Sequence, residues 1–97
     1  PGLFYKSKTI FSELSMQVYY FSWVREKVGT NFEEIQTNAN TVKDLIDELS
    51  LKGENYALAF GNLEHIKVAV DQVFVSDFNH SIKNAKEIAF FPPVTGG

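Results

Sequence analysis

The chain has no cysteine among its 97 residues. Disulfides, thiolate nucleophiles, zinc–thiolate sites and iron–sulfur clusters are therefore excluded together. A cytoplasmic location is compatible with that lack and is the expectation. A basic run is missing as well. Nine Lys and Arg stand against 12 Asp and Glu, for a formal charge of −3 and a pI near 5.3. The cations are scattered and the aromatics are not interleaved with them, which argues against a nucleic-acid partner. No apolar run approaches the roughly 20 residues of a membrane span, and nothing resembles a signal peptide, so no membrane partner is expected. The glycines lack phosphate-loop spacing. His65 and His80 have neither cysteine partners nor a metal-binding spacing, so neither a metal nor a bound cofactor is expected. Glu33-Glu34 and Asp47-Glu48 are sequence neighbours, not facing carboxylate pairs.

What is present suits one small domain, with 44% apolar and 22% charged residues. A chain this short buries only about 60–65% of its unfolded surface. It holds a compact core but no deeply walled active site, so a partner is expected to supply part of any site.

Pro1 is not a natural translation start. Residues 1–15, PGLFYKSKTIFSELS, read as a leader left from cloning, with a processed native extension as the alternative, ahead of a domain over residues 16–91 and a tail over 92–97. The leader contributes +1 (Lys6, Lys8, Glu13), leaving −4 for the rest. From Met16 the periodicity is legible. Gln17 to Trp23 is dense in β-branched and aromatic residues and predicts a strand. Gly29 marks a turn, and Asn31 to Thr37 predicts a second strand in a hairpin with the first. Thr41 is a candidate N-cap with Asp44 three residues on. Val42, Leu45, Ile46 and Leu49 follow at helical spacing to about Leu51, with Gly53 just beyond. Tyr56 to Phe60 is a short helical or irregular stretch. Ile66, Val68 and Val70 alternate as a strand, Asp71-Gln72 turns the chain, and Val73 to Val75 continues. Asn79 to Ala85 is turn-rich. Glu87 to Phe91 is the last strand, closed by Pro92-Pro93. A hairpin, one long helix and further strands predict an α+β fold with a mixed sheet and one main helix packed on one face. The ubiquitin-like β-grasp fits that order.

Both faces of the first and last strands are apolar. Val18 and Tyr20 oppose Tyr19, Phe21 and Trp23, and Ile88 and Phe90 oppose Ala89 and Phe91. One helix covers one face only. The other face is either an exposed patch marking a protein interface or is covered by the second helix, the loops or the leader. Phe74 and Phe91 are the interface candidates, and Phe90 the core member. Arg25 either pairs with a partner's carboxylate or covers the sheet edge.

The chain ends Phe91-Pro92-Pro93-Val94-Thr95-Gly96-Gly97. A terminal Gly-Gly has no side chains and can enter a channel too narrow for other residues. Its carboxylate is open to activation on a nucleotide phosphate, and the resulting acyl carbon accepts a sulfur nucleophile. Pro92-Pro93 favours a stiff, extended exit. Six residues reach about 20 Å when extended. With nothing near it to bury it, the tail is expected to be mobile in the free chain.

The last residues, Ala85-Lys86-Glu87-Ile88-Ala89-Phe90-Phe91-Pro92-Pro93-Val94-Thr95-Gly96-Gly97, resemble the end of the small-subunit family of molybdopterin synthase, a strand followed by F-P-P-V-[ST]-G-G. Val18-Tyr19-Tyr20-Phe21 with Arg25-Glu26 and Gly29 is similar to that family's opening strand and R-E-x-x-G turn. Thr41-Val42 with Leu45 is similar to its helix start, and Ala69-Val70-Asp71-Gln72 to its A-V-N strand-turn. The resemblance implies a sulfur carrier. The Gly97 carboxylate, next to Gly96, would be adenylated by a ubiquitin-activating-like enzyme that uses ATP, converted to a thiocarboxylate and inserted into the large subunit. There it would give sulfur to a pyranopterin precursor to build the dithiolene of molybdopterin, in a heterotetramer of two small and two large subunits. This chain would act as the sulfur-donating part of a transferase. Acid–base and substrate-binding residues would lie on the large subunit. Phe91, Pro92, Pro93, Val94, Thr95, Arg25 and Phe74 would meet the partner.

Two positions depart from the family pattern. Asn84-Ala85-Lys86-Glu87 stands where a D-G-D-E turn is usual, and Asn84 tolerates a positive φ better than most residues. Asp71 replaces an Asn. Two other functions share the fold and the Gly-Gly end: a thiamine-pathway sulfur carrier and a ubiquitin-like protein modifier. A plain binding module with an accidental Gly-Gly end is the third alternative.

Overall fold

The computed structural model describes residues 15–93. Five strands form one sheet: β1 (Ser15–Tyr20), β2 (Phe32–Gln36), β3 (Lys67–Val70), β4 (Val73–Val75) and β5 (Glu87–Phe91), in the spatial order β2-β1-β5-β3-β4. β1 and β5 are parallel and the other neighbours antiparallel, so the sheet is mixed. Three helices, α1 (Ser22–Val28), α2 (Val42–Ser50) and α3 (Glu54–Ala59), and a 3₁₀ turn (Leu63–His65) complete the fold. This is the β-grasp architecture, with α2 as its longest helix.

The inner sheet face is set by the two-residue period. Met16, Val18 and Tyr20 of β1, Val68 and Val70 of β3, and Ile88 and Phe90 of β5 are all buried. They share one cluster with Val42, Leu45, Ile46 and Leu49, one stripe of α2. Aromatic packing closes the centre: Phe60 meets Phe90 edge-on at 4.9 Å, and Tyr20 stacks on Phe90 at 6.2 Å. Thr41 caps α2, its hydroxyl accepting from the Asp44 N–H at 3.1 Å. The Asp44 carboxylate turns back to accept from the Asn40 N–H at 3.3 Å, one residue short of a full capping box.

The first predicted strand is corrected at both ends. Ser15, placed in the leader by the sequence, opens β1 and pairs with Gln36, so the boundary at 15/16 falls inside a strand. β1 stops at Tyr20 instead of Trp23, and the connection to β2 is the helix α1 instead of a simple turn at Gly29. The period switches here: Val24 and Val28, four apart, are buried, so these residues bury more as a helix than by continuing the strand. Ser22 makes the corner at φ 53, and Gly29 ends α1 at φ 98, its N–H donating to the Arg25 carbonyl at 2.8 Å. Trp23 therefore packs half-buried from α1 against the core and does not share the face of Tyr19 and Phe21.

The β3–β4 hairpin turns on Asp71 and Gln72, both at positive φ (48 and 71), between the paired Val70 and Val73. Asn84 is not among the positive-φ residues, so its turn needs no glycine. Instead the Asp71 carboxylate accepts from the N–H groups of Lys86 and Glu87 at 2.9 and 3.0 Å, tying the hairpin to the start of β5. Ile82, inside the stretch read as turn-rich, is buried, and its N–H donates to the Asn40 carbonyl.

Candidate functional site

The outer sheet face follows from the register. One ladder row crosses all five strands: Phe32, Tyr19, Ala89, Ala69 and Phe74. Alanines occupy the middle and aromatics the flanks. Tyr19 and Phe32 stand 5.0 Å apart at one flank, and Phe74 and Phe91 5.5 Å apart at the other. Phe74 is 80% exposed, and Phe21 and Phe32 are exposed as well. Among the described residues no helix or loop covers this face, and a patch of that kind marks a docking surface. Of the alternatives open from sequence, the described helices and loops are thus excluded as its cover; the leader lies outside the described residues except for Ser15.

A cavity of about 350 Å³ opens between the aromatics of the second flank, lined by Lys67, Val68, Phe74, Val75, Ser76 and Phe91. Phe91 is the last residue of β5, the strand held between β1 and β3, and Pro92 and Pro93 follow it half-buried. The root of the tail is therefore anchored in the middle of the sheet, beside the cavity. Val94, Thr95, Gly96 and Gly97, and with them the expected mobility of the tail, lie outside the described residues.

The structure brings Phe74 and Phe91 together as one aromatic pair. Arg25 lies exposed on α1, and its side chain enters no hydrogen bond or ion pair among the described residues. Tyr19 was placed on this face by alternation. Phe32 carries no local signal of its role, because its place opposite Tyr19 depends on the β1–β2 register. Lys67 and Ala69 likewise became part of the site only through pairing, whereas Ala89 shares the face of Phe91 by alternation along β5.

Behind Phe32, on the inner side of the same strand, Glu33 pins the sheet edge. Its carboxylate accepts from the Tyr20 hydroxyl (2.8 Å), the Tyr56 hydroxyl (2.9 Å) and the Lys52 ammonium (2.7 Å). The ammonium also sits 5.0 Å from the Tyr56 ring centroid. Burial works against ionisation of Glu33, but the hydrogen bonds from Lys52, Tyr20 and Tyr56 outweigh it and hold the carboxyl below its ordinary value. Burial, then the bond to Glu33, pushes the Tyr20 phenol far up, so it acts only as a donor. The network ties β2 to β1, α3 and the end of α2, and so keeps Phe32 against Tyr19.

A β-grasp domain with an open aromatic sheet face, and with its central strand running out beside that face into a Gly-Gly end, is a ubiquitin-like carrier domain. The chain belongs to the ThiS family, whose model matches residues 18–97. It is similar to the molybdopterin synthase sulfur carrier subunit of Escherichia coli (strain K12), at 39% identity over 82 residues, covering 84% of this chain and 99% of that protein. The corresponding subunit of Haemophilus influenzae is 34% identical over the same shares of each chain. Among solved structures it is similar to SAMP1 from Haloferax volcanii (26% identity, TM-score 0.66, 86% of this chain and 99% of that one). A complex of subunits 1 and 2 of the molybdopterin-converting factor from Helicobacter pylori matches in fold at 23% identity and a TM-score of 0.58, over 86% of this chain and 99% of that one. Among the described residues no helix is long and apolar enough to cross a membrane.

Proposed function

We propose that this chain is the sulfur carrier subunit of a molybdopterin synthase. The observation that carries the reading is the 39% identity to the Escherichia coli carrier across 99% of its length, in a chain that ends in the F-P-P-V-T-G-G tail. The Gly97 carboxylate attacks the α-phosphate of ATP on an adenylating partner and pyrophosphate leaves. A sulfur nucleophile then displaces AMP from the acyl carbon, leaving a thiocarboxylate. Gly96 and Gly97 have no side chains to obstruct either attack. The tail next enters the large subunit, where the thiocarboxylate sulfur bonds to a carbon of the pyranopterin precursor and water then cleaves its bond to the acyl carbon, which returns the Gly97 carboxylate. Phe74, Phe91, Pro92, Pro93, Val94 and Thr95 meet that partner, and Arg25 lies at the edge of the contact. The carrier holds no cofactor of its own, and ATP is consumed on the adenylating partner in the cytoplasm.

The test is mass spectrometry of the C-terminal peptide beginning at Glu87, after incubation with the adenylating enzyme, ATP and a sulfur donor. Exchange of one oxygen for sulfur at Gly97 is the expected result. An unchanged peptide beside a working control carrier would overturn the reading.

A further inference from the structure

Lys67 is the one cation that strand register places on the open face among the described residues. It begins β3 opposite Phe91 and lines the cavity between Phe74 and Phe91. It is exposed, and its ammonium enters no ion pair or hydrogen bond among the described residues. By contrast, Lys43 is held by Asp47 and Lys52 by Glu33, both at 2.7 Å. The carboxylates of the open face, Glu34 and Glu87, lie in one row on either side of Gln17, at the far end of the strands from Phe91. The face is therefore graded, with its cation at the tail root beside Phe74 and Phe91 and its anions at the other end of the strands.

A protein that fills the cavity must also cover Lys67. An ammonium drawn out of water is strongly unfavourable unless a counter-charge meets it. The lysine stem can lie along the apolar lining while its head reaches the rim, where the counter-charge has to stand. The cavity also adjoins Phe91, after which the tail begins. The protein that receives the tail is thus the one held over Lys67.

We propose that Lys67 is a specificity-determining residue. Among apolar surfaces that fit the Phe74–Phe91 cavity, it selects the large-subunit surface that sets an Asp or Glu carboxylate at the cavity rim. The proposal rests on the carrier function above. A mispaired surface would leave both charges desolvated, which is how a rim charge rejects wrong partners.

Binding of the full chain to the large subunit encoded in the same genome tests this, at low and at high salt, with Lys67→Glu, Lys67→Met and Phe74→Ala. Lys67→Glu is expected to weaken binding by about tenfold or more, and Lys67→Met to weaken it less while flattening the salt dependence. Phe74→Ala should weaken it equally at both salts. One Asp or Glu to Lys reversal on the large subunit should restore binding of Lys67→Glu. Lys67 and Phe74 are both exposed, and an unchanged melting temperature confirms that each carrier variant is folded. If Lys67→Glu binds as the unmodified chain does while Phe74→Ala fails, the face docks but Lys67 does not select, and the proposal is wrong. If both bind normally, the face is not the docking surface and the proposal falls with it. If Lys67→Glu instead splits a self-associated carrier, the cation serves a contact between copies. None of these results touches thiocarboxylation of Gly97, which tests the function separately.

Discussion

At the residue scale, the side chains that matter most for stability are those with a polar atom facing the core. Tyr20 is 1% exposed, and its hydroxyl has Glu33 as its acceptor. Removing the acceptor with Glu33→Ala leaves a buried donor unpaired and should cost about 1–3 kcal/mol, measured by urea unfolding. The pH dependence follows from the same carboxylate. Its value in the folded chain is lowered, so its contribution is fully present above the unfolded value and is lost as pH falls through the folded one. The stability gap between the unmodified chain and Glu33→Gln should therefore be constant near neutrality and shrink below about pH 4. Thermal melts across that range check it; a gap that widened in acid would refute the assignment. Ser22 is a different kind of residue, a non-glycine held at φ 53. Ser22→Gly should raise stability by about 0.5–1 kcal/mol, because only glycine occupies that region without steric cost.

At the scale of elements, ends and turns decide where helices and strands stop. Thr41 is the one side-chain cap of α2, and Thr41→Ala should cost about 1 kcal/mol in denaturant unfolding with no change in cooperativity. Asp71 acts beyond its own hairpin, because its carboxylate holds the two N–H groups that start β5. Asp71→Ala is expected to lower stability by about 1 kcal/mol and to speed amide exchange at Lys86 and Glu87, where a purely local turn role would leave those amides unchanged. α1 is an element that the local pattern conceals. Its apolar residues follow β1 without a break, and only the spacing of Val24 and Val28, with Gly29 after them, signals a helix.

On the scale of the whole molecule, the sheet separates two tasks. Its inner face carries the core with α2, and its outer face is open among the described residues, where the proposed partner docks. β5 is fixed between two neighbouring strands, so folding positions the exit of the tail, and in the proposed function Gly96 and Gly97 carry the chemistry. Deleting Gly97 should therefore abolish sulfur transfer in a reconstituted synthase and leave the melting temperature unchanged. Retained transfer by the shortened chain would remove the terminal carboxylate from the reaction.

The fold class, the α2 stripe and the inner residues of β1, β3 and β5 were legible in the sequence alone. These depend on local periods and on residue types that a chain carries wherever it folds. The end of β1 and the helix α1 were decided by packing, because an unbroken apolar run fits either period until the core claims Val24 and Val28. The site beyond Phe74 and Phe91 was decided by pairing. Phe32 reaches Tyr19 only through the β1–β2 register, and Lys67 meets Phe91 only because β3 lies beside β5. Strand order joins residues far apart in the chain, and no local pattern records which of them will be neighbours.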